Sequence, residues 1–176
     1  MINIGINGFG RIGRLVLRCI EERRLNGEKI RVVGINSRDI DNKYMIYQLK
    51  YDSVHNKCKF DIWYKEKDII INGNIIECFS EDDPKNIKWS KLDVDYVIEC
   101  TGVFTSLEKA ELHIKSGSKR VIISAPSCDV PMFVMGVNNN KYKGENIISN
   151  GSCTTNCLGP IVKVLNDNFG IMEGLM

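Results

Sequence analysis

The chain has 176 residues, 43% hydrophobic and 26% charged, with a formal net charge of +2. That is a globular composition for one domain or one and a fraction, and its scattered Lys and Arg exclude a basic field suited to nucleic acid as the main partner. No run approaches the roughly 18 apolar residues of a membrane-spanning helix. The N-terminus lacks the basic-then-apolar pattern of a secretory signal. The seven cysteines are odd in number and lack paired short spacings. They argue against a zinc site or disulfide framework, and for reduced thiols in a cytoplasmic protein.

Ile2, Ile4 and Ile6 predict a buried strand that ends at Asn7-Gly8. Ile12, Leu15, Val16, Cys19 and Ile20 recur at helical spacing and predict a helix over 11–24, stopped by Asn26-Gly27. A second strand is expected over 30–35, and a short helix over 44–49 after Asp41. Residues 58–64 and 69–79 read as antiparallel strands, the second turning at Asn72-Gly73. Asp83-Pro84 breaks the chain. Strands follow at 96–98, 121–123, 133–137 and 147–148, with a helix over 107–114 and another from about 153 to 168. Asn138-Asn139-Asn140 reads as a polar turn. Strand–helix alternation with nearly continuous apolar strands implies an α/β fold with a mostly parallel sheet, into which the hairpin is an antiparallel insertion.

Gly8-Phe9-Gly10-Arg11-Ile12-Gly13 is G-x-G-x-x-G between a strand and a helix, the context that makes it a dinucleotide-binding turn rather than a chance spacing. The first glycine permits the tight turn, the second lets the backbone approach a pyrophosphate, and the third lets helix pack on strand. The free N–H groups and dipole of the helix start favour phosphate. An acidic residue is expected at the end of the second strand to hold the adenosine ribose. The chain has Asn36-Ser37-Arg38-Asp39 there. Ser37 removes a carboxylate that would repel a 2′-phosphate, and Arg38 could pair with one. In the alternative, Arg38 is a solvated loop charge and Asp39 caps the next helix.

Asn150-Gly151-Ser152-Cys153-Thr154-Thr155-Asn156-Cys157 places Cys153 at the start of a helix whose apolar spacing continues through Leu158, Ile161, Val162 and Leu165. Free N–H groups and the dipole there stabilise a thiolate, the nucleophilic form. Cys157, one turn on, finds those N–H groups engaged. It and the other five cysteines read as small buried hydrophobes.

With these segments, Tyr51-Asp52-Ser53-Val54-His55, Cys100-Thr101-Gly102-Val103-Phe104-Thr105 and Ser124-Ala125-Pro126-Ser127 make the chain resemble the glyceraldehyde-3-phosphate dehydrogenase family along essentially its whole length. The resemblance implies a Rossmann-like dinucleotide-binding domain over 1–150 and the start of a catalytic domain over 151–176. It implies phosphorylating oxidation of glyceraldehyde 3-phosphate with NAD in glycolysis, by a cytoplasmic homotetramer, with inorganic phosphate as the second substrate. Cys153 would be the catalytic nucleophile, and Ser152 and Thr154 would contact substrate or phosphate. Asn7, Gly8, Phe9, Gly10, Arg11, Ile12, Ser37, Thr101, Gly102 and Ser124 would form the cofactor site, with no metal.

The family usually has Asn-Asp where this chain has Asn36-Ser37, which opens NADP as an alternative cofactor. It often has Arg in the stretch written here Glu81-Asp82-Asp83-Pro84, and the acid at that place works against a 2′-phosphate. Gly151 stands where Ala is more usual, a change expected to matter little. The implied mechanism adds the Cys153 thiolate to the aldehyde, passes hydride to nicotinamide, and cleaves the thioester with phosphate. The family's histidine base follows Glu-Gly-Leu-Met, so it is expected just past Met176, with the rest of the catalytic domain and its C-terminal helix. His113 reads as solvated on the polar side of its helix and His55 as a loop residue. The chain alone is therefore expected to be inactive. Other readings are a non-catalytic dinucleotide-binding module, another cysteine-using aldehyde or semialdehyde dehydrogenase, and a relative that oxidises erythrose 4-phosphate.

Overall fold

The computed structural model describes residues 1–38 and 41–175. Strand β1 (Ile2–Asn7) is buried beyond its first residue. It leads through the glycine turn into α1 (Arg11–Leu25), which packs Leu17 and Ile20 against the sheet. Asn26 and Gly27 stop the helix, with Gly27 at φ 92 and its N–H on the Arg24 carbonyl. β2 (Ile30–Asn36) follows, then α2 (Asn42–Lys50), capped by the Asp41 side chain. Asp39, the cap considered from sequence, lies outside the described residues.

A hairpin comes next: β3 (Ile62–Lys65), β4 (Asp68–Ile71) and β5 (Asn74–Phe79). Asn72 and Gly73 both take positive φ (46 and 79), the backbone of a tight hairpin turn. β6 (Tyr96–Glu99), α3 (Leu107–Lys115), β7 (Arg120–Ile123), β8 (Ile147–Ser149) and α4 (Cys153–Phe169) complete the order.

The eight strands form one sheet in the order β3-β4-β5-β2-β1-β6-β7-β8. All neighbours from β5 to β8 pair in parallel, whereas β3–β4 and β4–β5 are antiparallel. The six parallel strands, taken in chain order, stand 3-2-1-4-5-6. This is the doubly wound Rossmann arrangement, whose order reverses between β1 and β6. The expected α/β class with a mostly parallel sheet is therefore observed.

Two expectations are corrected. The hairpin is more than an insertion, because β5 pairs with β2 from Gly34↔Glu77 to Asn36↔Phe79 and is the third parallel strand. Residues 133–137 are not a strand. The Asn138 carboxamide accepts from Val134 N–H at 2.7 Å and donates to the Met132 carbonyl at 3.0 Å. Asn139 accepts from Gly136 N–H at 2.8 Å, and Gly136 takes φ 78. The asparagines thus satisfy backbone groups that a ladder would otherwise pair. Only Met132 bridges to Ser149.

Candidate functional site

Parallel strands put their C-terminal ends on one edge, and an open α/β sheet binds ligands there at the order reversal. A cleft of about 540 Å³ lies at that point. The turn after β1 contributes Asn7, Gly8 and Gly10; the end of β2 contributes Asn36, Ser37 and Arg38. The segment after β6 contributes Cys100, Thr101, Val103 and Phe104, and the loop after β5 contributes Glu81 and Asp82.

The three glycines divide by what surrounds them. Gly8 has φ 94, and a Cβ there would meet the Cys100 carbonyl carbon at 2.9 Å. A Cβ on Gly13 would stand 2.1 Å from the Gly8 carbonyl oxygen. Both are required by the fold. Gly10 has an ordinary φ of −72 as the cap of α1, and a Cβ on it would meet nothing within 4 Å. Nothing among the described residues requires glycine at Gly10, so the open space beside it fits a ligand that approaches the backbone. The α1 cap is satisfied by no side chain, which leaves the N–H groups of its first turn available to an anion.

Of the expected cofactor residues, Asn7, Gly8, Gly10, Ser37 and Thr101 line the cleft together. Phe9 does not: it is 2% exposed and packs in the main core, so only its backbone can take part. The Arg11 side chain turns to Asp52, with Nη1 to Oδ2 at 2.7 Å and Nη2 to Oδ1 at 3.2 Å. Ile12 is exposed at the helix start, and Gly102 (φ 74) follows Thr101. Ser124, after β7, stands near the Cys100 thiol but outside the lining. Burial pushes that thiol up to about 12, so Cys100 lines the cleft as a neutral group.

Sequence reasoning did not single out Asn36, Glu81, Val103 or Phe104 as lining residues; their position follows from the strand order. Arg38 Nη1 lies 3.2 Å from Asp82 Oδ1. Their side chains are 65% and 83% exposed, so the pair contributes little and Arg38 can change partners.

β8 ends on the same edge of the sheet. The Ser149 hydroxyl donates to the Ala125 carbonyl at 2.6 Å and accepts from Gly151 N–H at 3.0 Å. Gly151 takes φ 72, which a side chain adopts only with strain, and a Cβ would meet Met132 Sδ at 3.1 Å. The substitution expected to matter little thus falls where glycine suits the turn. Ser152 caps α4, its Oγ accepting from Thr155 N–H at 2.9 Å. Its hydroxyl is also 2.8 Å from that of Thr154. Cys153 is the first residue of the helix and is exposed.

Two further expectations are corrected. Cys19, Cys128 and Cys157 are exposed rather than buried, and Cys58, Cys78 and Cys100 are partly buried. His113 is not solvated. It is fully buried on the face of α3 that meets the sheet, beside Glu99 and Trp89, which satisfy its ring nitrogens. His55 is exposed, as a loop residue should be, and its N–H bonds to Asp52. The α4 residues Leu158, Ile161, Val162 and Leu165 are all exposed. No helix among the described residues is long and apolar enough to cross a membrane.

The family described as glyceraldehyde 3-phosphate dehydrogenase, NAD binding domain, matches residues 2–107, and its C-terminal domain counterpart matches residues 152–176. The chain is 54% identical over 177 residues to glyceraldehyde-3-phosphate dehydrogenase of Danio rerio, covering 100% of this chain and 52% of the relative. It is 51% identical over 177 residues to that of Coccidioides posadasii, with 100% and 51% covered. It is 55% identical over 174 residues to glyceraldehyde-3-phosphate dehydrogenase 1 of Schizosaccharomyces pombe, with 98% and 51% covered. The chain spans about half the length of the curated relatives it matches. The strand order, the glycine turn at its reversal point and the family match over residues 2–107 agree: the chain belongs to the glyceraldehyde-3-phosphate dehydrogenase family.

Proposed function

We propose that this chain is the dinucleotide-binding portion, with the nucleophile, of an enzyme that oxidises and phosphorylates glyceraldehyde 3-phosphate. The division proposed is a binding domain over 1–150 and the start of the catalytic domain over 151–176. One observation carries the reading: the cleft at the strand-order reversal and the exposed Cys153 at the first position of α4 stand on the same edge of one sheet.

NAD is the proposed cofactor, held at its pyrophosphate by the first N–H groups of α1 and beside Gly10. Ser37 and Asp82 would stand at its adenosine end, and Asn7 and Thr101 would hold it along the rest of the lining. When bound, NAD supplies the hydride acceptor. The Cys153 sulfur adds to the aldehyde carbon and carries the acyl group as a thioester, which inorganic phosphate cleaves to an acyl phosphate. N–H groups at the start of α4 stabilise the oxyanion, and Ser152 and Thr154 offer hydroxyls to substrate or phosphate.

A base must take the hydroxyl proton. His113 is buried with both ring nitrogens engaged, and His55 makes no hydrogen bond to residues 149–157 among the described residues. The base is therefore proposed to lie outside these 176 residues. The exposed apolar side of α4 is compatible with further chain packing on it. The whole protein is proposed to be a cytoplasmic homotetramer. A second reading, use of NADP, is favoured by Ser37 and Arg38 at the adenosine end of the cleft.

The test is NADH formation from glyceraldehyde 3-phosphate, NAD and phosphate. The whole protein should turn over, and its Cys153→Ser variant should not. The 176 residues alone should fall short by at least the ~10²–10⁴-fold that a positioned base contributes. Turnover by these residues alone within tenfold of the whole protein would return His55 and His113 to consideration.

A further inference from the structure

Beneath the cleft, five buried side chains are joined end to end. Trp89, fully buried, donates its indole Nε1–H to His113 Nδ1 at 3.1 Å. Indole nitrogen can only donate, so Nδ1 accepts and the ring proton sits on Nε2. Nε2 donates to Glu99 Oε2 at 2.9 Å, and Asn7 Nδ2 donates to the same oxygen at 2.6 Å. The other carboxylate oxygen, Oε1, accepts from the Thr101 N–H at 2.7 Å and from its hydroxyl. Asn7 Oδ1 accepts from Asn36 Nδ2 at 2.7 Å, and Asn36 Oδ1 accepts from the Glu81 N–H at 2.8 Å.

The relay thus passes under the ends of β6, β1 and β2 and reaches the loop after β5. Its upper members, Asn7, Asn36, Glu81 and Thr101, line the cleft; its lower members, Trp89, His113 and Glu99, do not. A buried carboxylate and imidazole are a costly way to fill a core, and apolar side chains of similar volume would hold it at least as well. Hydrogen bonds are directional, however. A fully satisfied network fixes orientations that apolar contacts leave free.

We propose that His113 and Glu99 are positioning residues of the dinucleotide cleft. His113, its tautomer set by Trp89, orients Glu99; one Glu99 oxygen then fixes Thr101, and the other fixes Asn7 and, through it, Asn36 and Glu81. The cleft is ordered before its ligand arrives, which lowers the cost of binding. The inference rests on the reading of this cleft as the NAD site.

The experiment uses the whole protein and measures NAD affinity by calorimetry, steady-state kinetics and Tm for wild type, His113→Leu, His113→Gln and Trp89→Phe. His113→Leu should raise the Kd and KM for NAD by about tenfold or more, the scale of a missing hydrogen bond to a charged group. KM for the aldehyde and kcat at saturating NAD should stay within about twofold, since the His113–Glu99 hydrogen bond serves cofactor binding rather than the chemical step. His113→Gln keeps an N–H donor for Glu99 and should recover most of the affinity. Trp89→Phe, which frees the tautomer, should weaken NAD several-fold, and it carries the test with His113→Gln if His113→Leu does not fold. A lowered Tm with unchanged NAD affinity in the folded variants would mark the relay as structural only and overturn the inference. Absence of NAD binding by wild type would instead overturn the reading of the cleft, and the inference with it.

Discussion

Gly13 lies so close under Gly8 that a Cβ on it would stand 2.1 Å from the Gly8 carbonyl oxygen, while Gly10, between them, faces open space. The same motif therefore contains glycines of two kinds. Gly13→Ala should destabilise the fold by about 1–3 kcal/mol or more, the cost of overpacking against backbone. Gly10→Ala should leave Tm within about 1–2 °C, as a surface substitution does, and weaken NAD binding. Thermal melts and NAD titrations of the two variants separate these effects. A Gly10→Ala variant that binds NAD like wild type would show that no ligand approaches that backbone.

The end of the cleft proposed for adenosine combines Ser37, Arg38 and Asp82. Ser37→Asp should selectively depress NADP use, and Asp82→Asn should raise it by releasing Arg38 and removing a negative charge. The Asp82→Asn change should be modest, because the Arg38–Asp82 pair is exposed. The readout is the ratio of kcat/KM for NADP and NAD in the whole protein. Wild type should prefer NAD. A ratio unmoved by both substitutions would place the 2′-position elsewhere.

Brief iodoacetamide treatment near neutral pH should label Cys153 first, ahead of the also exposed Cys157, Cys19 and Cys128, because only Cys153 opens a helix. Burial pushes the Cys78 and Cys100 thiols up to about 12, so those two should stay unlabelled. Peptide mapping decides the order. Equal labelling of Cys153 and Cys157 in folded protein would contradict it.

Asp52 accepts the N–H groups of His55 and Val54, which hold its carboxyl down at about 2, with Arg11 adding to the effect. A carboxylate lowered on folding stabilises the native state above its ordinary range. That contribution is lost as pH falls through the folded value. The turn at 52–55 should therefore loosen between about pH 4 and pH 2. Carbon NMR of the Asp52 carboxyl should give a midpoint near 2; an ordinary midpoint near ~4 would show that the turn does not hold the carboxylate.

Much of this was legible in the sequence because it is local. Short, nearly continuous apolar runs marked β1 and β2, the glycine spacing marked the turn, and small polar residues before an apolar-spaced run put Cys153 at a helix start. What was not legible depends on distant partners. The pattern of β5 identifies a strand but cannot say that its inner neighbour is β2, to which it pairs in parallel. The apolar run at 133–137 looks like a strand until the Asn138 and Asn139 carboxamides take its backbone groups. His113 sits among charged neighbours on a short helix, and its burial depends on Glu99 and Trp89, 14 and 24 residues away in the chain.

In the proposed reaction Cys153 carries the acyl group while the cleft holds the cofactor. The decisive experiment mixes the whole protein with NAD and glyceraldehyde 3-phosphate in the absence of phosphate, then follows NADH and the mass of each cysteine peptide. A burst of NADH should stop near the concentration of active sites, with a phosphoglyceroyl adduct on the peptide containing Cys153. A burst with the adduct on another residue, or an unmodified Cys153 after NADH has formed, would contradict it.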